Sequence, residues 1–126
     1  VGQVKAIQTA YLEQLLAADI VPVLASLGEN ATGDLLNINA DYLAAAVASS
    51  LQAEKLILMT DIEGVLEDKK VLPQLLTSQV SKKIQTGVIK GGMIPKIESA
   101  VQTVLSGVGQ VLIGDNLLTG TLIAEG

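Results

Sequence analysis

The chain has 126 residues, enough for one domain with a core of its own. Having no Cys and no His, it carries no disulfide framework, no thiolate site and none of the imidazole groups behind common zinc and acid–base chemistry. A net charge of −5 argues against a broad nucleic-acid surface, and an apolar fraction of 49% argues against disorder.

Almost none of that apolarity is aromatic: there are two Tyr, no Phe and no Trp. A core of Leu, Ile, Val and Ala suits helices laid on a sheet of buried parallel strands. No apolar run approaches the roughly 20 residues of a membrane span, and no signal-peptide pattern is visible. The expectation is a soluble, cytoplasmic protein with neither membrane nor nucleic acid as partner.

In chain order, Val4, Ile7, Tyr11, Leu15 and Ala18 recur at helical spacing and predict a helix over residues 3–18. The run Ile20-Val-Pro-Val-Leu-Ala-Ser26 is too short for a helix. Its Pro22 is tolerated at a strand's start, which predicts a strand over 21–26. Residues 28–36 read as a polar loop. The loop leads into Asn37-Ile-Asn39-Ala-Asp41, where Asn39 is suited to cap a helix over 40–51 and Asp41 falls in its first, dipole-favoured turn. A cap needs only one such residue. The alternation of Asn37, Asn39 and Asp41 leaves polar groups that are either loop polarity or part of a site.

Glu54-Lys-Leu-Ile-Leu-Met-Thr60 predicts a strand covered on both faces, with Thr60-Asp61-Ile-Glu-Gly64-Val-Leu66 as its exit. In open parallel sheets ligands bind beyond the carboxyl ends of the strands, so this exit is a candidate site. An ordinary turn with Gly64 at positive φ explains the same residues. Glu67-Asp-Lys-Lys70 is a charged tip, a solvated hairpin or loop. Residues 78–86 predict a short helix capped by Ser78 and broken by Gly87. A longer helix over 95–107 carries Ile97, Val101, Val104, Leu105 and Val108 on one face, with Gly107 and Gly109 to stop it. Strands follow at 110–114 and 120–123. The alternation predicts an α/β fold, a three-layer αβα sandwich with a mainly parallel sheet.

Between the two later helices lies Val88-Ile-Lys90-Gly91-Gly92-Met93-Ile94-Pro95-Lys96. Paired glycines let backbone N–H groups approach a phosphate, and a helix start adds a favourable dipole. A glycine turn with two solvated lysines is the plainer alternative. Neither the Walker loop nor Gly-x-Gly-x-x-Gly is present.

Taken in order and together, Asn37-Ile-Asn39-Ala-Asp41, Thr60-Asp61-Ile-Glu-Gly64-Val-Leu66 and Gly91-Gly-Met-Ile-Pro-Lys96 resemble the carboxyl-terminal half of the acetylglutamate kinases, a branch of the amino acid kinase family. The resemblance runs from Val1-Gly2 to Gly120-Thr121. It implies an amino acid kinase-like fold, with residues 1–126 forming a single nucleotide-binding lobe and the amino-terminal substrate lobe absent. It also implies transfer of the γ-phosphoryl of ATP, with Mg²⁺, to the side-chain carboxylate of N-acetyl-L-glutamate, a step of arginine biosynthesis.

By the same resemblance, Asp41 orients catalytic lysines and Lys96 meets the nucleotide phosphates, while Asn37 and Asn39 face the amino-acid substrate. The adenosine segments are Asp61, Ile62, Glu63, Gly64, Val65 and Leu66, together with Val88, Ile89, Lys90 and Met93, and Thr60 is counted with the ATP-binding residues. No residue is assigned as a metal ligand. The partners implied are ATP, N-acetyl-L-glutamate and either an amino-terminal half or a second copy. The family's Lys-Gly-Gly opening strand, second catalytic lysine and substrate arginine have no counterpart, so the chain alone is expected to be inactive. Two alternatives stay open: a stand-alone nucleotide-binding or structural α/β domain, and a lobe of another amino acid kinase resembling glutamate 5-kinase.

Overall fold

The computed structural model describes residues 2–126; Val1, where the resemblance begins, lies outside them. Helix α1 (Thr9–Ala17) is followed by a hairpin of β1 (Leu27–Glu29) and β2 (Leu35–Asn37), then by α2 (Ala40–Ser50) and β3 (Lys55–Met59). A second hairpin pairs β4 (Leu66–Glu67) with β5 (Lys70–Val71). Next come β6 (Gln74–Leu76), a 3-10 turn (Thr77–Gln79) running into α3 (Val80–Gln85), α4 (Met93–Leu105), β7 (Gln110–Gly114) and β8 (Thr121–Ala124).

The main sheet has the order β3-β7-β8-β6. Two of its ladders, β3 with β7 and β6 with β8, are parallel, and β7 with β8 is antiparallel. Register explains the core. Leu56 lies opposite Val111 and Leu58 opposite Ile113, while Ile123 faces both Val111 and Leu75, so these side chains share one face. Onto that face α4 lays Ile97, Ala100 and Val104 at helical spacing. Ile97, Val111, Ile113 and Ile123 are fully buried, each contributing about 1.5–3 kcal/mol by removal from water. Helix α2 packs beside α4 and against β3, so the sheet is flanked by helices as expected. No helix among the described residues is long and apolar enough to cross a membrane.

Several expectations need correction. Residues 21–26 form no strand, and Val21 and Val23 are 83% and 95% exposed. A strand exists only as part of a ladder, and among the described residues no strand pairs with this segment. Helix α1 begins at Thr9, not at residue 3; ahead of it the Gly2 N–H donates to the Asn37 carbonyl (2.8 Å) and ties the leading segment to the end of β2. Residues 28–36 are not a loop but most of the first hairpin. The Asn30 side-chain oxygen accepts from the N–H groups of Thr32 and Asp34, and Gly33 takes φ 87°. Hydrogen bonds from Thr32 and Asn30 hold the Asp34 carboxyl below the usual carboxylate range.

Ser78 caps nothing. Gln79 Oε1 instead accepts from Leu76 N–H (3.1 Å) and closes the 3-10 turn, while β6 itself was not anticipated. Helix α4 starts at Met93, two residues earlier than expected, so Pro95 lies in the first turn, where its missing N–H leaves no helical bond unmade. The charged tip is a two-residue hairpin turn with Asp68 and Lys69 at φ 51° and 63°.

Candidate functional site

Strands β3 and β7 point their carboxyl ends the same way, Met59 opposite Gly114. One further backbone bond, from Thr60 N–H to the Gly114 carbonyl (2.9 Å), extends the ladder before the chain turns away. The turn is fixed at Gly64. Its φ is 150°, and an added Cβ would lie 2.8 Å from Thr121 Oγ1 and 2.9 Å from Val71 Cγ1, so only glycine fits. The buried Thr121 hydroxyl accepts from Val65 N–H (2.8 Å) and donates to the Leu72 carbonyl (2.7 Å). A single side chain from β8 thus holds both ends of the second hairpin.

Beyond these strand ends opens a cleft of about 340 Å³. Ile62, Gly64, Val65 and Leu66 form one wall, and Gly87, Val88, Lys90 and Met93 form the other. Seven of these eight carry the adenosine assignment made from sequence; Gly87, read only as a helix breaker, does not. Thr60, Asp61, Glu63 and Ile89 do not line the cleft. The Thr60 hydroxyl donates to Asp61 Oδ1 (3.3 Å), and Asp61 and Glu63 are exposed. Ile89 belongs to the core and is 1% exposed, leaving only its main chain for any ligand.

At the foot of the second wall, Gly91 takes φ 58°, and a Cβ on Gly91 or Gly92 would meet nothing within 4 Å. The approach to the first turn of α4 is therefore open. Met93 and Lys96 are i and i+3 on α4, so the lysine lies one turn beyond the cleft wall on the same helical face. Lys96 Nζ donates to Asp41 Oδ2 at 2.5 Å, with the two side chains 18% and 38% exposed. Packing of α2 on α4 closes this pair across 55 residues of sequence. Pairing satisfies a lysine whose charge is largely withdrawn from water.

The two asparagines are less engaged. Asn39 Oδ1 accepts from Tyr42 N–H (3.0 Å) and caps α2, while the residue stays exposed. Asn37 ends β2 with its side chain exposed, four residues before Asp41. Among the described residues no three His, Cys, Asp or Glu side chains converge as metal ligands.

A flanked, mainly parallel sheet with its cleft beyond the strand ends defines an α/β protein of the open-sheet type. More narrowly, the chain belongs to the amino acid kinase family, whose sequence pattern matches residues 1–115. It is similar to the acetylglutamate kinase of Streptococcus gordonii, at 98% identity over 126 residues, covering all of this chain and 51% of that protein. Among solved structures, smu.665 from Streptococcus mutans UA159 is similar with a TM-score of 0.89 and 59% identity, over 99% of this chain and 51% of that one. The N-acetylglutamate synthase of Neisseria gonorrhoeae, complexed with coenzyme A and N-acetyl-glutamate, gives a TM-score of 0.92 at 28% identity, over 100% of this chain and 32% of that one. The chain spans about half the length of the curated relatives it matches.

Proposed function

We propose that this chain is the nucleotide-binding lobe of an enzyme that phosphorylates the side-chain carboxylate of N-acetyl-L-glutamate, in the cytoplasmic synthesis of arginine. The observation that carries the reading is the Lys96–Asp41 pair, set one turn from an apolar cleft at the strand ends. Likeness to the streptococcal acetylglutamate kinase over the whole chain supports the choice of acceptor.

The residues present fit ATP. The mostly apolar walls, with Ile62, Val65, Leu66, Val88 and Met93, suit a purine and ribose. Lys90, the open Gly91-Gly92 step and the start of α4 suit the phosphates. ATP supplies the activated γ-phosphoryl. Lys96 places its ammonium where charge spreads during transfer, and Asp41 fixes that ammonium in one orientation. Asp41 has no proton to remove, because the acceptor carboxylate is already ionised near pH 7. Asn37 and Asn39, at the entry to α2, are assigned to the acceptor. Among the described residues no three acidic side chains form a cage for Mg²⁺, so the nucleotide's phosphates would hold the ion, which would offset their charge.

Acceptor binding and the remaining cations are assigned to the other half of the relatives' length. The exposed apolar segment around Val21 and Val23 is the natural place for that half to add strands. The chain alone should bind ATP weakly and turn over no N-acetyl-L-glutamate.

Titration of this chain with ATP and with adenosine, before and after Lys96→Ala, tests the reading. Loss of a charge-assisted contact of about 1.5–3 kcal/mol should weaken ATP about 10- to 150-fold and leave adenosine unchanged. Equal weakening of both ligands refutes the assignment of Lys96 to phosphate.

A further inference from the structure

Two ion pairs occur among the described residues, and only one belongs to the site above. In the other, Lys83 Nζ donates to Glu67 Oε1 at 2.5 Å, with side chains 25% and 31% exposed. Glu67 directly follows Leu66, the last residue of the first cleft wall, and stands at the turn end of the second hairpin. Lys83 lies on α3, and its main-chain carbonyl accepts from Ile89 N–H (3.1 Å), next to Val88 and Lys90 of the opposite wall. One lysine therefore grips both walls, one through its backbone and the other through its ammonium.

The surroundings give the pair something to do. The β4–β5 ribbon is a sheet by itself, not hydrogen-bonded as a strand into the main sheet. Such two-stranded ribbons have little stability of their own. Thr121 secures its base. Toward its tip, a second cavity of about 440 Å³ lies between ribbon and α3, lined by Glu67, Lys82, Lys83, Thr86 and Val88 among others. The ribbon's base shares the core with α3 through Val65, Leu72, Val80 and Ile84, whereas at Glu67 the ion pair links the two beside this cavity. Val88 borders this cavity and the cleft alike.

We propose that Glu67 and Lys83 are positioning residues, a clasp that sets the width of the nucleotide cleft. This rests on the nucleotide reading above. A merely structural surface pair changes stability slightly and leaves binding alone. A clasp acts on the purine end of the ligand, so it affects adenosine and ATP alike, unlike Lys96.

The test titrates ATP and adenosine into the unaltered chain, Glu67→Gln, Lys83→Met and the swapped double variant (E67K with K83E), recording melting temperature for each. Each single variant should weaken both ligands about three- to tenfold, in the lower part of the range of coupling between contacting residues. The swap should recover most of that loss, and melting should hardly move. Glu67→Gln keeps its shape and carries the test if Lys83→Met fails to fold. Single variants that bind like the unaltered chain overturn the clasp and leave the nucleotide reading standing. A swap that restores nothing also overturns the clasp. An unaltered chain that binds neither ligand overturns both readings.

Discussion

Replacing Thr121 by Val removes one hydroxyl and changes almost no volume. That hydroxyl is the acceptor for the buried Val65 N–H (2.8 Å) and a donor to the Leu72 carbonyl (2.7 Å). With Val in place, the Val65 N–H has no partner, at a cost of about 1–3 kcal/mol. Leu72 is only half-buried, and loss of the donor to its carbonyl costs about 1 kcal/mol. The extra buried methyl returns about 0.8 kcal/mol. The net is a loss of about 2 kcal/mol, a large share of the roughly 5–15 kcal/mol typical of a domain. In urea, with a slope of about 1–3 kcal/mol/M, the midpoint should fall by about 1 M without a change of slope.

Thr121→Ser is the control. It keeps both hydrogen bonds and loses one methyl, for about 1 kcal/mol. Because Val65 and Leu66 form a cleft wall, the Val variant should also weaken adenosine and ATP, while the Ser variant should not. A Val variant as stable as the unaltered chain, or more stable than the Ser variant, would sink the argument.

Gly64→Ala should destabilise by more than about 1 kcal/mol, since its φ of 150° and the 2.8 Å approach to Thr121 leave no room for a methyl; urea unfolding measures it. The double change Val21→Ser with Val23→Ser should leave the unfolding free energy within about 0.5 kcal/mol, both positions being over 80% exposed. The same variant should lower light scattering at high concentration, because an unpaired apolar segment is what self-associates. A marked loss of stability would mean that these valines pack within the chain.

Where local chemistry decides, the sequence was readable. Gln110-Val-Leu-Ile-Gly114 forms β7 at the expected residues, and Asn39 caps α2 with its side chain. What escaped depends on partners distant in sequence. Residues 20–26 have the composition of a strand, yet composition cannot supply a neighbour, and among the described residues there is none. The first hairpin has strands of three residues each, too short for periodicity to register. Its signal was in the turn, where Asn30, Thr32, Gly33 and Asp34 are the residues of a side-chain-bonded loop. Of the candidate site, Asp41 and Lys96 stood out as motif residues by resemblance, but nothing local to either announces their bond. Thr121 and the Glu67–Lys83 pair gave no warning: one resembles any strand threonine, the other a solvated charged tip.

The position of β8 in the sheet has a consequence for the order in which the protein can be made. Although β8 follows both of its neighbours in sequence, it lies inside the sheet, between β7 and β6. During synthesis β6 emerges some 35 residues ahead of β7, and its ladder partner β8 comes later still. Until residues 121–124 leave the ribosome, the β3–β7 half and the β6 edge remain separate, and Leu75, Val111 and Ile113 lack the Ile123 that joins them. The Thr121 hydroxyl that fixes the cleft arrives in the same step. Core closure and site assembly are thus one event in translation, and until it happens these core faces stay open to chaperones and proteases.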